Sequence, residues 1–271
     1  PQYCRPSVTG CVSWSALSRE FFIKEGQAQR NPSGVFSCID LNNCPQHESL
    51  MKNSIASSPS SRELVDDLIK LLTVLPKGNM EFVGKAQKNG VGRMFGGQVI
   101  AQALQAAQGS VGPEKAAHSL HAYFLRGGKE GPSTTLSVEA DFDGRSFANR
   151  RVVASQKDQE GTSRPILNLT ASFQKSEVGL EHSNYEMPLV PPPEDLPSDI
   201  ELRRKYVSEL GLEGANRDLL LRPRAIDIRT TDKLHWMSSE PRVPHAHSWF
   251  KAAATLPDDP ALHRAVIAYA S

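Results

Sequence analysis

The chain has 271 residues, enough for one well-filled core or two small ones of roughly 100–150 residues each. Lys and Arg number 31 against 30 Asp and Glu, a formal net charge of +1, so the basic excess of a phosphate-backbone binder is missing and nucleic acid is not expected. No apolar run approaches the roughly 18 residues that cross a bilayer as a helix, so the sequence predicts a soluble chain with no membrane span.

The first residue is Pro1 rather than Met, which reads as a processed, trimmed or incomplete end, and PQYCRPSVTGCVSW lacks the sustained apolar run of a signal peptide. All four cysteines, Cys4, Cys11, Cys38 and Cys44, precede residue 45, and none forms the C-x-x-C pair that would signal a zinc site. From Met51 onward no disulfide is possible, which favours an intracellular protein with a self-sufficient core. Residues 1–59 are expected to be a tail, and Met51 itself is a candidate start.

The first expected element is a helix in SSPSSRELVDDLIKLLTVL. Ser60 and Glu63 have capping-box spacing, and Leu64, Val65, Leu68, Leu71, Leu72 and Leu75 recur at helical spacing up to Pro76. A second helix is expected in MFGGQVIAQALQAAQGS, residues 94–110, with Val99, Ile100, Ala103, Leu104 and Ala107 on one face and Gln98, Gln102 and Gln105 on another. Gly109 is placed to end it as a left-handed cap. Its many alanines suit a helix buried against strands.

Strands follow at 118–125 (HSLHAYFL) and 134–141 (TTLSVEAD), then a turn at Asp143-Gly144 and a return through SFANRRVVASQ. ILNLTASFQ, 166–174, alternates most cleanly, with Leu167, Leu169, Ala171 and Phe173 inward. One buried helix followed by antiparallel strands is an α+β pattern, not a βαβ nucleotide fold. EMPLVPPPEDLPSD has the proline and acid density of a linker, continued by a polar helical segment, DIELRRKYVSELGL. Strands resume in RPRAIDIRTTD and at 247–256, and DDPALHRAVIAYAS opens a further helix.

Taken singly, the chemical motifs leave several readings open. Gly96-Gly97-Gln98 is the tripeptide of translation release factors, but here it opens an Ala-rich helix in a nearly neutral chain. As a phosphate cradle it lacks the preceding strand and the later Lys-Ser/Thr of a P-loop. A helix N-terminus still offers amides to an anion or a carbonyl, and the plainest reading is that the glycines allow tight entry of the chain into the helix. His118 and His121 are three apart on a strand and face opposite ways, while His245 and His247 flank a strand start. Arg150 and Arg151 suit either phosphates or an outward-facing position near the turn. There is no G-x-S-x-G nucleophile elbow.

In order and spacing, FGGQVIAQALQAA, HSLHAYFLRGG, DGRSFANRRVVASQ, LTASFQ and MPLVPPPEDLPS resemble the acyl-CoA thioesterase II family, from about Leu64 to Ser271. That resemblance implies a double hotdog, two tandem antiparallel sheets each wrapped on a central helix. It places a first hotdog at 60–176, a linker with a helical segment at 177–221 and the beginning of a second hotdog at 222–271. It also implies hydrolysis of fatty acyl-CoA by water, with no cofactor and no metal. In the family an Asp at the start of the second helix, with a Ser or Thr and a Gln further on, activates that water. The family pattern Tyr-Ala-Ser-Asp meets Tyr269-Ala270-Ser271 here, so the Asp would follow Ser271 and the other two would lie later still. No catalytic residue is therefore assigned within the chain, which alone is expected to be inactive.

In the first hotdog the Gly96-Gly97 pair stands where the Asp would be, and Asp141 and Asp143 sit at a turn that excludes water poorly. The resemblance makes this unit the pocket-shaping half, with Gly96, Gly97, Gln98 and His118 as substrate contacts. The other reading is a non-catalytic acyl-CoA-binding or partner-binding protein. Homo-oligomers and a peroxisomal or cytosolic location are implied by the same resemblance.

Overall fold

A computed structural model of the chain describes residues 58–87, 92–180, 182–184, 186–231 and 246–271. The four cysteines, Met51 and His245 lie outside the described residues. Helix α1 (Ser61–Leu72) begins on the expected capping box: the Glu63 amide donates to Ser60 Oγ at 3.3 Å, and the Ser60 amide donates to Glu63 Oε2 at 2.8 Å. Val65, Leu68 and Leu72 face inward. The helix stops sooner than the leucine pattern suggests, because Thr73 turns extended and Leu75 joins a strand.

That strand, β1 (Val74–Gly78), forms a hairpin with β2 (Glu81–Gly84), a pair the sequence pattern does not announce. Its turn holds Asn79 and Met80 at φ 48° and 60°, beside Gly78 at 95°. After helix α2 (Gly96–Gln108) come β3 (Lys115–Phe124), β4 (Thr134–Asp143), β5 (Phe147–Lys157) and β6 (Ser163–Lys175). The six strands form one antiparallel sheet in the order β1-β2-β4-β5-β6-β3.

The register stacks the inward residues in rows. Val138 lies opposite Val152 and Val152 opposite Leu169, while Ala148 lies opposite Phe173. All of these are buried, as the alternation of 166–174 requires. Helix α2 lies against this face and touches every strand of the sheet. This is a complete hotdog unit, a sheet curled round one central helix. Among the described residues strand β3 is an edge, bonded to β6 alone, and Tyr123, Phe124 and Leu125 at its end are exposed.

A 3-10 turn (Pro193–Asp195) and helices α3 (Asp199–Glu209) and α4 (Gly214–Leu220) follow, α3 opening on a second capping box between Ser198 and Glu201. Strands β7 (Ile226–Thr230) and β8 (Ser248–Ala252) pair antiparallel, and helix α5 (Pro260–Ala270) begins the second, partial hotdog unit. Asp259 caps α5 through the Ala261 amide at 2.9 Å, and Pro260 takes the first turn, where its missing N–H costs nothing. Where the sequence suggests only the start of a helix, α5 has completed three turns by Ser271. Among the described residues no helix is long and apolar enough to cross a membrane.

Candidate functional site

Phe95 sits at the N-cap of α2 with no side-chain bond to the helix, and the first turn carries no acid. Its ring instead packs edge-on against Tyr269 near the end of α5, with centroids 5.1 Å apart and planes at 68°. The two glycines serve that junction. A Cβ on Gly97 would overlap the Tyr269 carbonyl oxygen, and one on Gly96 would stand 2.9 Å from Cζ of Phe124. So the first turn of α2 meets the last turn of α5 backbone to backbone, with the positive end of one helix against the negative end of the other.

Gln98 and Gln102, expected on a polar face, are fully buried. The tertiary structure supplies the reason: both side-chain amides donate to the Lys85 carbonyl, at 3.3 and 2.9 Å, and Gln102 donates also to the Leu71 carbonyl at 2.7 Å. They tie the ends of α1 and β2 to the central helix. Oε1 of each is buried with no hydrogen-bond partner among the described residues. Gly109 differs from expectation too. It keeps a right-handed φ of −66°, and its missing side chain makes room for the Phe82 ring, 3.2 Å from where a Cβ would stand.

His118 is exposed on β3, its Nε2 2.9 Å from Ser172 Oγ and its ring 6.4 Å from that of Phe147. Six residues of strand, roughly 20 Å at ~3.3 Å each, separate it from Phe124 over Gly96. The structure therefore brings Gly96, Gly97 and Gln98 together and leaves His118 elsewhere on the sheet. Arg150, at 3% exposure, is a buried strut: it reaches Asp143 at 2.6 Å and Ser110 Oγ at 3.0 Å, and also donates to the Phe142, Asn149 and Ser110 carbonyls. Arg151 points outward to Glu139 and Asp141. Neither is placed as a free phosphate ligand.

The electrostatics of the junction come from the arginines just before β7. Burial pushes the Tyr269 phenol above its ordinary range, and the Arg222 and Arg224 charges pull it part of the way back. Burial, then the neighbouring Arg203, lowers the Arg224 guanidinium, which lies 3.3 Å from the Asp199 carboxylate that Arg203 grips at 2.6 Å. Phe124 and Tyr269 carry no local mark of a site in the sequence, and Phe95 carries one, an aromatic residue directly before Gly96. Among the described residues no group of three or more His, Cys, Asp or Glu is placed to hold a metal ion.

The family model of the acyl-CoA thioesterase N-terminal domain matches residues 86–174, from the lead-in of α2 to the end of β6. Acyl-CoA thioesterase 2 of Haemophilus influenzae is 32% identical over 209 residues, 77% of this chain and 70% of that one. The chain belongs to the acyl-CoA thioesterase family. Human acyl-coenzyme A thioesterase 8 is 33% identical over 184 residues, 66% of this chain and 56% of its own length, so this thioesterase-family chain spans little more than half of that relative. The crystal structure of the acyl-CoA thioesterase II TesB2 from Mycobacterium marinum superposes with a TM-score of 0.53 at 31% identity, covering 74% of this chain and 66% of that one.

Proposed function

We propose that this chain is the substrate-holding part of an enzyme that hydrolyses fatty acyl-CoA to free fatty acid and CoA, with the catalytic carboxylate supplied by a residue after Ser271. The observation that carries the reading is the junction of α2 with α5. Thioester hydrolysis needs a base within hydrogen-bond reach of the attacking water. The side chains gathered at Gly96–Gln98 are Phe95, Phe124, Tyr269 and two buried glutamine amides, and none of these is a base at neutral pH. Helix α5 brings Tyr269 into contact with Gly97, and the family resemblance puts the catalytic Asp directly after Ser271.

In this reading the base takes a proton from water, the hydroxide oxygen bonds the thioester carbon, and CoA leaves as its thiolate. Gly96, Gly97 and Gln98 shape the acyl or CoA pocket, and His118 is an outer contact on β3. The enzyme acts as a homo-oligomer, inside the cell in peroxisome or cytosol, and needs no cofactor. The same lack of a base favours one second reading, a non-catalytic acyl-CoA-binding or partner-binding protein.

The two readings separate in a thiol-release assay on acyl-CoA, run on the 271-residue chain and on the chain as its source makes it. The expected result is binding without turnover for the former and turnover for the latter, lost by about 10²- to 10⁴-fold when the Asp after Ser271 becomes Ala. Absence of thiol release from the chain as its source makes it would leave the binding reading. Equal turnover by the 271-residue chain would place the base within it and overturn the assignment.

A further inference from the structure

Just ahead of α2, the chain and the loop after β3 face one another across an open cleft of about 660 Å³, lined chiefly by Gly92, Arg93, Gly127, Gly128 and Lys129. That volume is in the range of small-molecule sites. The cleft is held in shape from three sides. Arg93 and Lys129 pair as an antiparallel bridge, the Met94 amide donates to the Gly128 carbonyl at 2.8 Å, and the Glu130 amide donates to the Gly92 carbonyl at 3.1 Å.

From beneath, Gln156 of β5, at 7% exposure, clamps the backbone of Lys129: its Oε1 accepts from the Lys129 amide at 2.8 Å and its Nε2 donates to the Lys129 carbonyl at 2.9 Å. Gly92 has φ +114°, a conformation only glycine adopts readily. A Cβ on Gly128 would stand 3.1 Å from Ile166 Cδ1, so the floor has no room for a side chain, and one on Gly127 would press on the Arg93 guanidinium at 3.1 Å. Arg93 thus lies along a bare stretch of backbone.

The cleft carries more positive than negative charge among the described residues. Among the described residues neither Arg93 nor Lys129 forms an ion pair, and Arg126 alongside donates only to the Pro165 carbonyl. Asp158, beside Lys129, is already held by Arg164 at 2.9 Å, which leaves Glu130 as the one carboxylate on the loop itself. Two exposed cations, carried by two segments whose backbones are tied together beside a run of glycines, suit an anion that offers several oxygens.

We propose that this cleft binds phosphate groups, with the Arg93 guanidinium and the Lys129 ammonium taking the oxygens of a phosphorylated ligand. Its identification with the nucleotide end of CoA rests on the thioesterase reading; a free pyrophosphate is the other source of the same chemistry. The test is calorimetric titration of the chain at low salt with CoA, with inorganic pyrophosphate and with phosphate-free pantetheine. The wild type is compared with the double variant R93Q/K129Q, whose exposed side chains leave the fold and melting temperature unchanged.

The expected result is an affinity for CoA and pyrophosphate about 10- to 100-fold weaker in the double variant, with pantetheine unaffected. CoA and pyrophosphate binding equally to both proteins would overturn the site and leave the thioesterase reading standing. Pyrophosphate binding that depends on the two residues, with no binding of CoA, would keep the site and sink the thioesterase reading. If neither phosphate probe binds the wild type, the site falls.

Discussion

The two hotdog units hold their helices by different means. Helix α2 is closed in by its own sheet on one side and by α5 on the other, and it touches strands from β1 to β6. The core over that sheet, from Leu136 through Val152, Leu167 and Leu169 to Phe173, is fully buried. Helix α5 packs mainly on α2, with smaller contacts to α1 and β3, and of the two strands of its own unit, β7 and β8, only Ile226 is buried. Yet Leu262, Ala265, Val266 and Ala268 of α5 are buried, because they lean on α2. The second unit borrows the core of the first, and a two-stranded sheet on its own would be marginal in water. Polar ties to the linker do the remainder: Trp249 donates to the Pro191 carbonyl at 3.0 Å, and Arg229 donates to the Pro193 and Leu196 carbonyls at 2.9 Å each.

The largest effect should come from cutting the shared support. Phe173→Ala empties a fully buried ring position in β6 and should cost about 3–5 kcal/mol by the usual large-to-small rule. If α5 depends on α2, amide exchange of α5 should rise together with that of β4–β6. Exchange in α5 that stays slow while the sheet opens would show a second unit stable by itself, and the comparison above would break.

A smaller and more local effect should separate the two glycines. In Gly97→Ala the new methyl meets the backbone of Tyr269, which cannot swing aside, so a loss of about 1–3 kcal/mol is expected, confined at first to α5 exchange. In Gly96→Ala the methyl meets the far end of the half-exposed Phe124 ring, which can turn away. The better helix propensity of Ala offsets what strain is left, and the net change should stay within about 0.5 kcal/mol. Denaturant melts of the two variants decide the order; a greater loss at Gly96 would mean that α5 is not what Gly97 serves.

How much of this was legible in the sequence follows from the range of the interactions. Ser60 with Glu63 and the alternation of Leu167, Leu169, Ala171 and Phe173 are local patterns, and the structure repeats them. The β1–β2 hairpin is not, since Pro76 and a turn through Asn79 and Met80 at positive φ hide it from period and turn signals alike. Gln98 and Gln102 read only as a second, polar face of the helix because their acceptors, the Lys85 and Leu71 carbonyls, come from other parts of the chain. Arg150 is buried only because Ser110 and Asp143 converge on it from two directions. At the candidate site, Gly96-Gly97 could be seen as the start of a helix, but what the missing side chains make room for could not. The answer, Tyr269, lies at the far end of the chain.

The finest probe of the junction is the Tyr269 phenol. Its ring packs on Phe95 while burial raises its pKa above the ordinary tyrosine range, Arg222 and Arg224 opposing in part. The fold therefore favours the neutral phenol. This contribution is fully present below the unfolded pKa of about 10 and is lost as pH rises through the higher folded pKa. Tyr269→Phe keeps the ring contact and removes the ionisation. Stability of the wild type should thus fall more steeply above pH ~10 than that of the variant, with the two curves parallel at neutral pH. Urea melts across that range, read at α5, test it. Coincident curves would mean that the phenol reaches water in the folded chain, and the last turn of α5 would then be less tightly seated on Phe95 than the ring geometry implies.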